Sequence, residues 1–491
     1  MRKLLPLMMI ICLLLSSCQL NKNAEIPTVS NTQAADEPYT EVYHPIEETS
    51  TTEEFSSSFT ELTTLLSATV SSTTAIKTTK PPVAVTTKPT TAKQTTTKPV
   101  STTVKTATTK PATTEVTVTQ PQIAADEMRA IWISCYDYTS AAGKTRAQYK
   151  TVTDTMFRNI KNMGLNTAFV HLRAFSDAFY KSEIYPYSAY IAGKEGASLP
   201  FDPFEVLLES ASAYGISVHG WINPFRVSTQ NKPSLLSATN PAKKILDAGN
   251  ADGQVCILSN GIYYNPSYTE NHKLIIDGVR EIIGKYNIDG IHIDDYFYPS
   301  TSAEVDKIQY NQYKSNGGKL SLSQWRISCV NAFVGALYSA IKTVDPSLTV
   351  SISPAGSFDK NYSTYYADFK TWLSQDGYAD LIIPQIYFGF NHETLDFEKL
   401  LKEWGNLKRS PNVKLVCGIA AYKCALKDNY AGTGASEWQN NSDILARQLH
   451  STRKNSNYSG FAVFSYQDLT RNACKTEIQN LKNSINNGET K

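Results

Sequence analysis

From residue 128 onward the chain alternates two hydrophobic patterns. Short apolar runs of period 2 give way to longer stretches in which apolar positions recur every three or four residues. The first period is that of a strand, whose side chains leave opposite faces; the second is that of an amphipathic helix. Strands are expected over 129–135, 167–173, 216–223, 289–294, 348–353, 380–387, 414–420 and 460–466. Helices are expected over 146–163, 204–214, 270–286, 323–344, 369–374, 396–407, 436–453 and 477–485, the first two closed by Gly164 and Gly215 as C-caps. A long irregular section separates the third strand from the third helix. Eight strands alternating with eight helices predict a parallel sheet closed into an α/β (β/α)8 TIM barrel. An open doubly wound sheet would carry a Gly-rich phosphate turn after an early strand, and the sequence has none.

The stretch that carries most chemistry is DGIHIDDYFYP, residues 289–299. Ile291 and Ile293 share one face, His292 and Asp294 the other. In a barrel the first face meets helices and the second points inward, with function at the C-terminal rim. The other strand ends are also polar. The second strand ends His171-Leu172-Arg173 with Asp177 beyond it, and the third reads His219-Gly220-Trp221-Ile222-Asn223 before Arg226. The sixth ends Gln385-Ile386-Tyr387, and the eighth runs out to Asp468. By parity Arg173, Trp221, Asn223, Gln385 and Tyr387 can face Asp294. Carboxylates among aromatic side chains suit a sugar, with its apolar faces and polar rim.

The N-terminal pattern is different. Arg2 and Lys3 precede an apolar run over 4–15 and then Ser16-Ser17-Cys18. The run is too short for a comfortable membrane span and has the layout of a secretory signal. Leu15-Ser16-Ser17-Cys18 resembles the bacterial lipoprotein box, so residues 1–17 are expected to be a lipoprotein signal peptide and Cys18 the lipidated N-terminus. That places the protein on the extracytoplasmic face of a bacterial membrane, tethered by lipid without spanning it. Residues 18–121 are rich in Thr, Pro and Lys and lack either period, so they are expected to be a disordered tether. Fully extended, its 66–121 portion would reach on the order of 170 Å at ~3.1 Å per residue. The barrel is expected over 128–487.

Composition adds three points. A formal net charge of +2 over 491 residues gives no reason to expect nucleic acid as partner. Tyrosine is the conspicuous excess at 28 residues; many belong to the core, and exposed ones offer a flat apolar face with a polar edge that suits carbohydrate. Six cysteines outside the leader, Cys135, Cys256, Cys329, Cys417, Cys424 and Cys474, show no short paired spacing that would mark a disulfide scaffold.

The motifs MRAIWIS (128–134), NTAFVHLRAFSDAFY (166–180), GWINPFRV (220–227), DGIHIDDYFYP and PQIYFGF (384–390) together resemble the glycosyl hydrolase-like 10 family of exported bacterial barrels. The resemblance implies a glycosidase-superfamily barrel directed at cell-wall glycan, particularly strands stripped of stem peptides. It assigns Asp294 and Asp295 to the paired acidic site, Arg173 and Asp177 to the polar turn after the second strand, and Asn223 to the third.

The expected catalytic groups are Asp294, Asp295 and Asp177, with Asp468 a further possible second carboxyl. The expected sugar-binding side chains are Arg173, Trp221, Asn223 and Arg226, together with Tyr296, Tyr298, Gln385, Tyr387 and Asp468. No cofactor or metal is called for. Two other functions stay open on the sequence: a non-catalytic glycan-binding barrel, and a metal-dependent deacetylase or amidase using His171, His219 and His292. Those histidines sit below the rim, where a buried, hydrogen-bonded role is expected. A single acid would also permit non-hydrolytic cleavage, in which a sugar hydroxyl attacks. The anchoring expectation is direct to check. Cys18→Ala should leave the protein without lipid and in the aqueous phase on detergent partitioning; an unlipidated wild type would contradict it.

Overall fold

In the computed structural model, which describes residues 126–487, the two periods resolve into a barrel. The expected signal peptide, Cys18 and the tether lie outside the described residues. The chain runs β1 (Met128–Ile133), α1 (Arg146–Met163), β2 (Thr167–Arg173), α2 (Pro203–Tyr214) and β3 (Ser217–Ile222). After an excursion with β4 (Arg226–Ser228), β5 (Val255–Leu258) and β6 (Gly261–Tyr264) come α3 (Thr269–Lys285), β7 (Gly290–Ile293), α4 (Leu322–Val344) and β8 (Thr349–Ile352). The rest is α5 (Phe369–Ser374), β9 (Leu381–Ile382), α6 (Phe397–Gly405), β10 (Lys414–Leu415), β11 (Cys417–Ala420), α7 (Ile444–Lys454), β12 (Gly460–Phe464) and α8 (Lys475–Asn487).

Nine parallel strands lie in the order β10-β9-β8-β7-β3-β2-β1-β12-β11. The two ends of that order are halves of one extended segment, 414–420, interrupted at Val416. Its first half pairs with β9 and its second with β12. A bridge between Gln385 and Gly418 continues the join. The sheet therefore closes on itself, and nine strands fill eight barrel positions. The fold class expected from the sequence is the one found.

Strand parity separates two apolar layers. Ile131, Ile133, Val170, Leu172, Ile291 and Ile293 pack outward with helix residues such as Met156, Phe157 and Ile160. Ala130, Trp132, Phe169, Trp221, Leu381, Ile383, Val416 and Ala462 fill the interior. The register is pinned at the strand starts by side chains that accept a neighbouring strand's N–H. Asn166 Oδ1 takes Arg129 N at 2.9 Å, Asp289 Oδ2 takes Val218 N at 2.7 Å, and Asp380 Oδ2 takes Val350 N at 2.8 Å. The caps behave as the sequence indicates: α1 opens on a Thr145–Gln148 capping box and closes on Gly164 with φ 87°, and α2 closes on Gly215 with φ 62°. Gly290 has a packing reason, since a Cβ there would meet the Thr349 carbonyl at 2.4 Å and His219 Nδ1 at 2.8 Å.

Two features depart from expectation. The section after β3 is not irregular: it holds a three-stranded antiparallel sheet, β4-β6-β5, whose three- and four-residue strands are too short to show a period. The helix expected over 436–453 is broken, because Asn441 is extended between a short helix, Glu437–Asn440, and α7.

The loop after β7 is anchored from below by α4. Arg326 there is fully buried and ion-paired with Asp306 at 2.7 Å. It also donates to the Thr301 and Ser302 carbonyls and to the Tyr366 hydroxyl. This set uses every donor of the guanidinium, four on the loop after β7 and one on Tyr366 in the loop after β8.

Candidate active site

β7 ends at Ile293, so alternation stops just before Asp294 and Asp295. Both carboxyls are buried and act on the same surrounding groups. Tyr296, Tyr365 and Tyr387 each feel both charges. Gln385 Nε2 donates to Asp295 Oδ1 at 3.2 Å while also holding the Ser353 carbonyl at 3.0 Å. Burial raises both carboxyls well above the usual carboxylate range, and the neighbouring charge of Asp295 raises Asp294 further. Arg226, the Tyr296 N–H and the Trp221 indole partly offset this at Asp294. At Asp295 the charge of Lys360 and the Gln385 amide do so. Two adjacent buried carboxyls cannot both ionise cheaply, so the two titrate as a coupled pair, above the ordinary carboxylate range.

Arg226, at the start of β4, is the cation of this site. Its guanidinium lies over the Tyr296 ring at 4.9 Å and the Phe175 ring at 5.8 Å. It has no carboxylate within ion-pair distance among the described residues, and its Nε–H has no partner. Tyr387 completes a second aromatic wall with Phe464 and Tyr422, at 5.8 and 6.1 Å.

Other expected site residues are placed differently. Arg173 is turned into the frame. Its Nη1 donates to the Asn223 and Pro224 carbonyls at 2.8 and 3.0 Å, its Nη2 to Pro224 at 2.9 Å, and its guanidinium covers Tyr185. Its pairing partner is thus backbone rather than Asp294. Asn223 beside it keeps a buried Oδ1 without a partner. Asp468 pairs with Arg471 at 3.2 Å and accepts from Ser465 N. Tyr298 lies against Arg326 at 5.0 Å and edge-on to Tyr366, in the loop anchor and not beside the acid pair. Asp177 is buried with one carboxylate oxygen unpartnered, and burial pushes its pKa up to about 7. Its surroundings are Ser188, Glu195, Arg173 and Cys135.

The three interior histidines are engaged by their neighbours. Trp132 Nε1–H donates to His292 Nε2 at 3.0 Å, which leaves the His292 proton on Nδ1, 2.8 Å from Ser351 Oγ. Burial lowers the pKa of all three, so they stay neutral. His171 accepts from Cys135 N and stacks on Trp221 at 3.7 Å, and His219 sits edge-on to Phe169. Among the described residues no group of three or more His, Cys, Asp or Glu side chains converges as metal ligands.

Lys360, Tyr365 and Tyr422 belong to the site and were not visible in sequence. They follow β8 and β11 in loops and single turns, beyond any period that could orient them.

A closed parallel barrel with a pair of buried carboxyls at one strand end, walled by tyrosines, is a glycosidase-type barrel. The chain belongs to the glycosyl hydrolase-like 10 family, whose profile matches residues 127–432. It is 30% identical over 369 residues to glycosyl hydrolase YngK of Bacillus subtilis (strain 168), covering 70% of this chain and 69% of that one. It is 27% identical over 332 residues to glycosyl hydrolase DigH of Escherichia coli (strain K12), covering 62% and 75%. Among solved structures, an endo-1,4-beta-mannanase from Rhizomucor miehei overlays with a TM-score of 0.44 at 12% identity, over 75% of this chain and 98% of that one.

The Asp177 environment predicts a pH effect on stability. Its folded pKa is raised to about 7 from the ordinary carboxylate value, so its contribution is fully present below about pH 4 and is lost as pH rises through about 7. Asp177→Asn should therefore raise the unfolding temperature more at pH 8 than at pH 4, as read by calorimetry; an equal effect at both would contradict the burial assignment.

Proposed function

We propose that the protein is a glycoside hydrolase that cleaves cell-wall glycan, with peptide-stripped strands as the preferred form, from a lipid-tethered position outside the cell. The observation that carries the reading is the pair of adjacent buried carboxyls, Asp294 and Asp295, at the end of β7 among Tyr296, Tyr365 and Tyr387, both raised above the ordinary carboxylate range by burial. Protonated Asp294 donates to the leaving glycosidic oxygen, the role of a carboxyl with a raised pKa. Asp295, favoured in its charged form by Lys360 and Gln385, stabilises the positive charge that develops at the sugar, and water completes the step by adding its oxygen to that carbon and passing its proton to the Asp294 carboxylate. Arg226 and the tyrosines hold hydroxyls and ring faces. The family membership and the names of the relatives agree with this chemistry, and the wall substrate follows from the export pattern together with the family resemblance.

The test is incubation of the full-length protein with intact and peptide-stripped wall glycan, followed by mass analysis. Saccharide fragments that persist in the presence of chelator are expected, more from the stripped glycan. Asp294→Asn should fold and bind glycan normally but turn over at least roughly a thousandfold more slowly, about 4 kcal/mol of transition-state stabilisation. Binding without products would instead define a glycan-binding barrel, and chelator-sensitive acetate release would define a deacetylase.

A further inference from the structure

The rim carries an aromatic feature that the acid pair does not use. Tyr136, just beyond β1, is 38% exposed, an unusual outlay for a large ring beside a buried site. Its ring meets Tyr190 edge to face, with centroids 5.5 Å apart at 90°. Tyr190 belongs to a short helix, Ala189–Ala192, in the loop after β2. That helix is stitched to the loop after β1: Ala141 N and Ala142 N donate to the Ile191 carbonyl at 2.7 and 3.2 Å, and Ser140 Oγ adds a third bond at 3.2 Å. Two rim loops are thus locked together, and they present the rings in a fixed arrangement.

A single exposed aromatic residue is ordinary and needs no ligand. This pair is not isolated. The Tyr190 ring is stacked with Phe175 at 6.2 Å, Phe175 lies under the Arg226 guanidinium at 5.8 Å, and Arg226 covers Tyr296 at 4.9 Å. A continuous strip runs from Tyr136 to the residue next to Asp295. The outer end of the strip, Tyr136 and Tyr190, offers rings that are apolar on the face and polar at the hydroxyl edge, the kind of surface a pyranose ring stacks on, while the buried Phe175 backs the pair toward Arg226. Phe175 and Arg226 sit between the Tyr136–Tyr190 pair and the acid pair, so a sugar on the outer tyrosines is not the one being cleaved.

We propose that Tyr136 and Tyr190 form a distal glycan subsite, continuous with the acid pair, that binds a sugar remote from the scissile bond. The enzyme then acts on glycan chains of several sugars in preference to the shortest fragments. This inference rests on the hydrolase reading above. Remote binding of this kind raises affinity for longer chains, and Tyr136, lying outside the reacting centre, is a positioning residue rather than a catalytic one.

The test is steady-state kinetics of the full-length protein on wall-glycan oligosaccharides of graded length, with Tyr136→Ala, Tyr136→Phe and Tyr136→Trp alongside. In the wild type KM should fall as chains lengthen. Tyr136→Ala should raise KM for the longer chains by about three- to tenfold at unchanged kcat, and leave the shortest substrate unaffected. Tyr136→Phe and Tyr136→Trp should restore the length dependence, because each keeps a stacking face. An unchanged KM in Tyr136→Ala at every length would overturn the subsite, as would an equal loss on the shortest substrate. If no length is cleaved by the wild type, the hydrolase reading fails separately. Calorimetric binding of the longest oligosaccharide then decides the subsite: weaker in Tyr136→Ala supports it, equal affinity refutes it.

Discussion

Two consecutive carboxyls buried at the end of one strand impose the constraint on which this structure depends. A pair of like charges some 4 Å apart repels by about 4 kcal/mol at the effective dielectric of a protein surface, and desolvation adds to that. Burial and mutual repulsion therefore raise the titration of Asp294 and Asp295 above the ordinary carboxylate range. Their neighbours then divide the roles: Lys360 and the Gln385 amide favour charge on Asp295, and the burial of Asp294 favours its neutral form.

The rest of the rim keeps those surroundings in place. Arg173 holds the carbonyls of Asn223 and Pro224, so β3 leaves the barrel at a fixed angle and delivers Arg226 over Tyr296. Asp137 accepts from Ser134 N and Gln467 N, tying the end of β1 to the turn after β12. Arg326 and Asp306 fix the loop beyond the acid pair. Below them a neutral floor of His292, Trp132, Ser351 and Phe169 supports the pair without adding charge. Buried ion pairs and side-chain-to-carbonyl bonds are weak stabilisers compared with the apolar layers, but they specify which way each loop leaves the barrel.

Sequence legibility followed the reach of the strand period. α1, β2 and α5 have the bounds that periodicity indicates, and the inward face of β7 was plain from Ile291 and Ile293. Beyond Ile293 alternation no longer applies, so Tyr296 and Tyr298 look equivalent in sequence. Only the fold separates them, one under Arg226 and the other under Arg326. Arg173 and Arg226 were likewise indistinguishable as strand-end cations. Arg173 is spent on backbone carbonyls that come within reach only once β2 and β3 are side by side. Lys360, Tyr365 and Tyr422 arrive from loops after other strands, and no local pattern could assign them to this cleft.

The account turns on the protonation state of the acid pair. Its most direct test is a pH titration of the aspartate side-chain carboxyl 13C resonances in the full-length protein, assigned with Asp294→Asn and Asp295→Asn. Coupled, burial-raised titration predicts carboxyls that stay protonated well above the ordinary range, and a downward shift of the Asp295 titration when Asp294 is replaced. Two carboxyls that titrate independently in the ordinary range near pH 4 would contradict it.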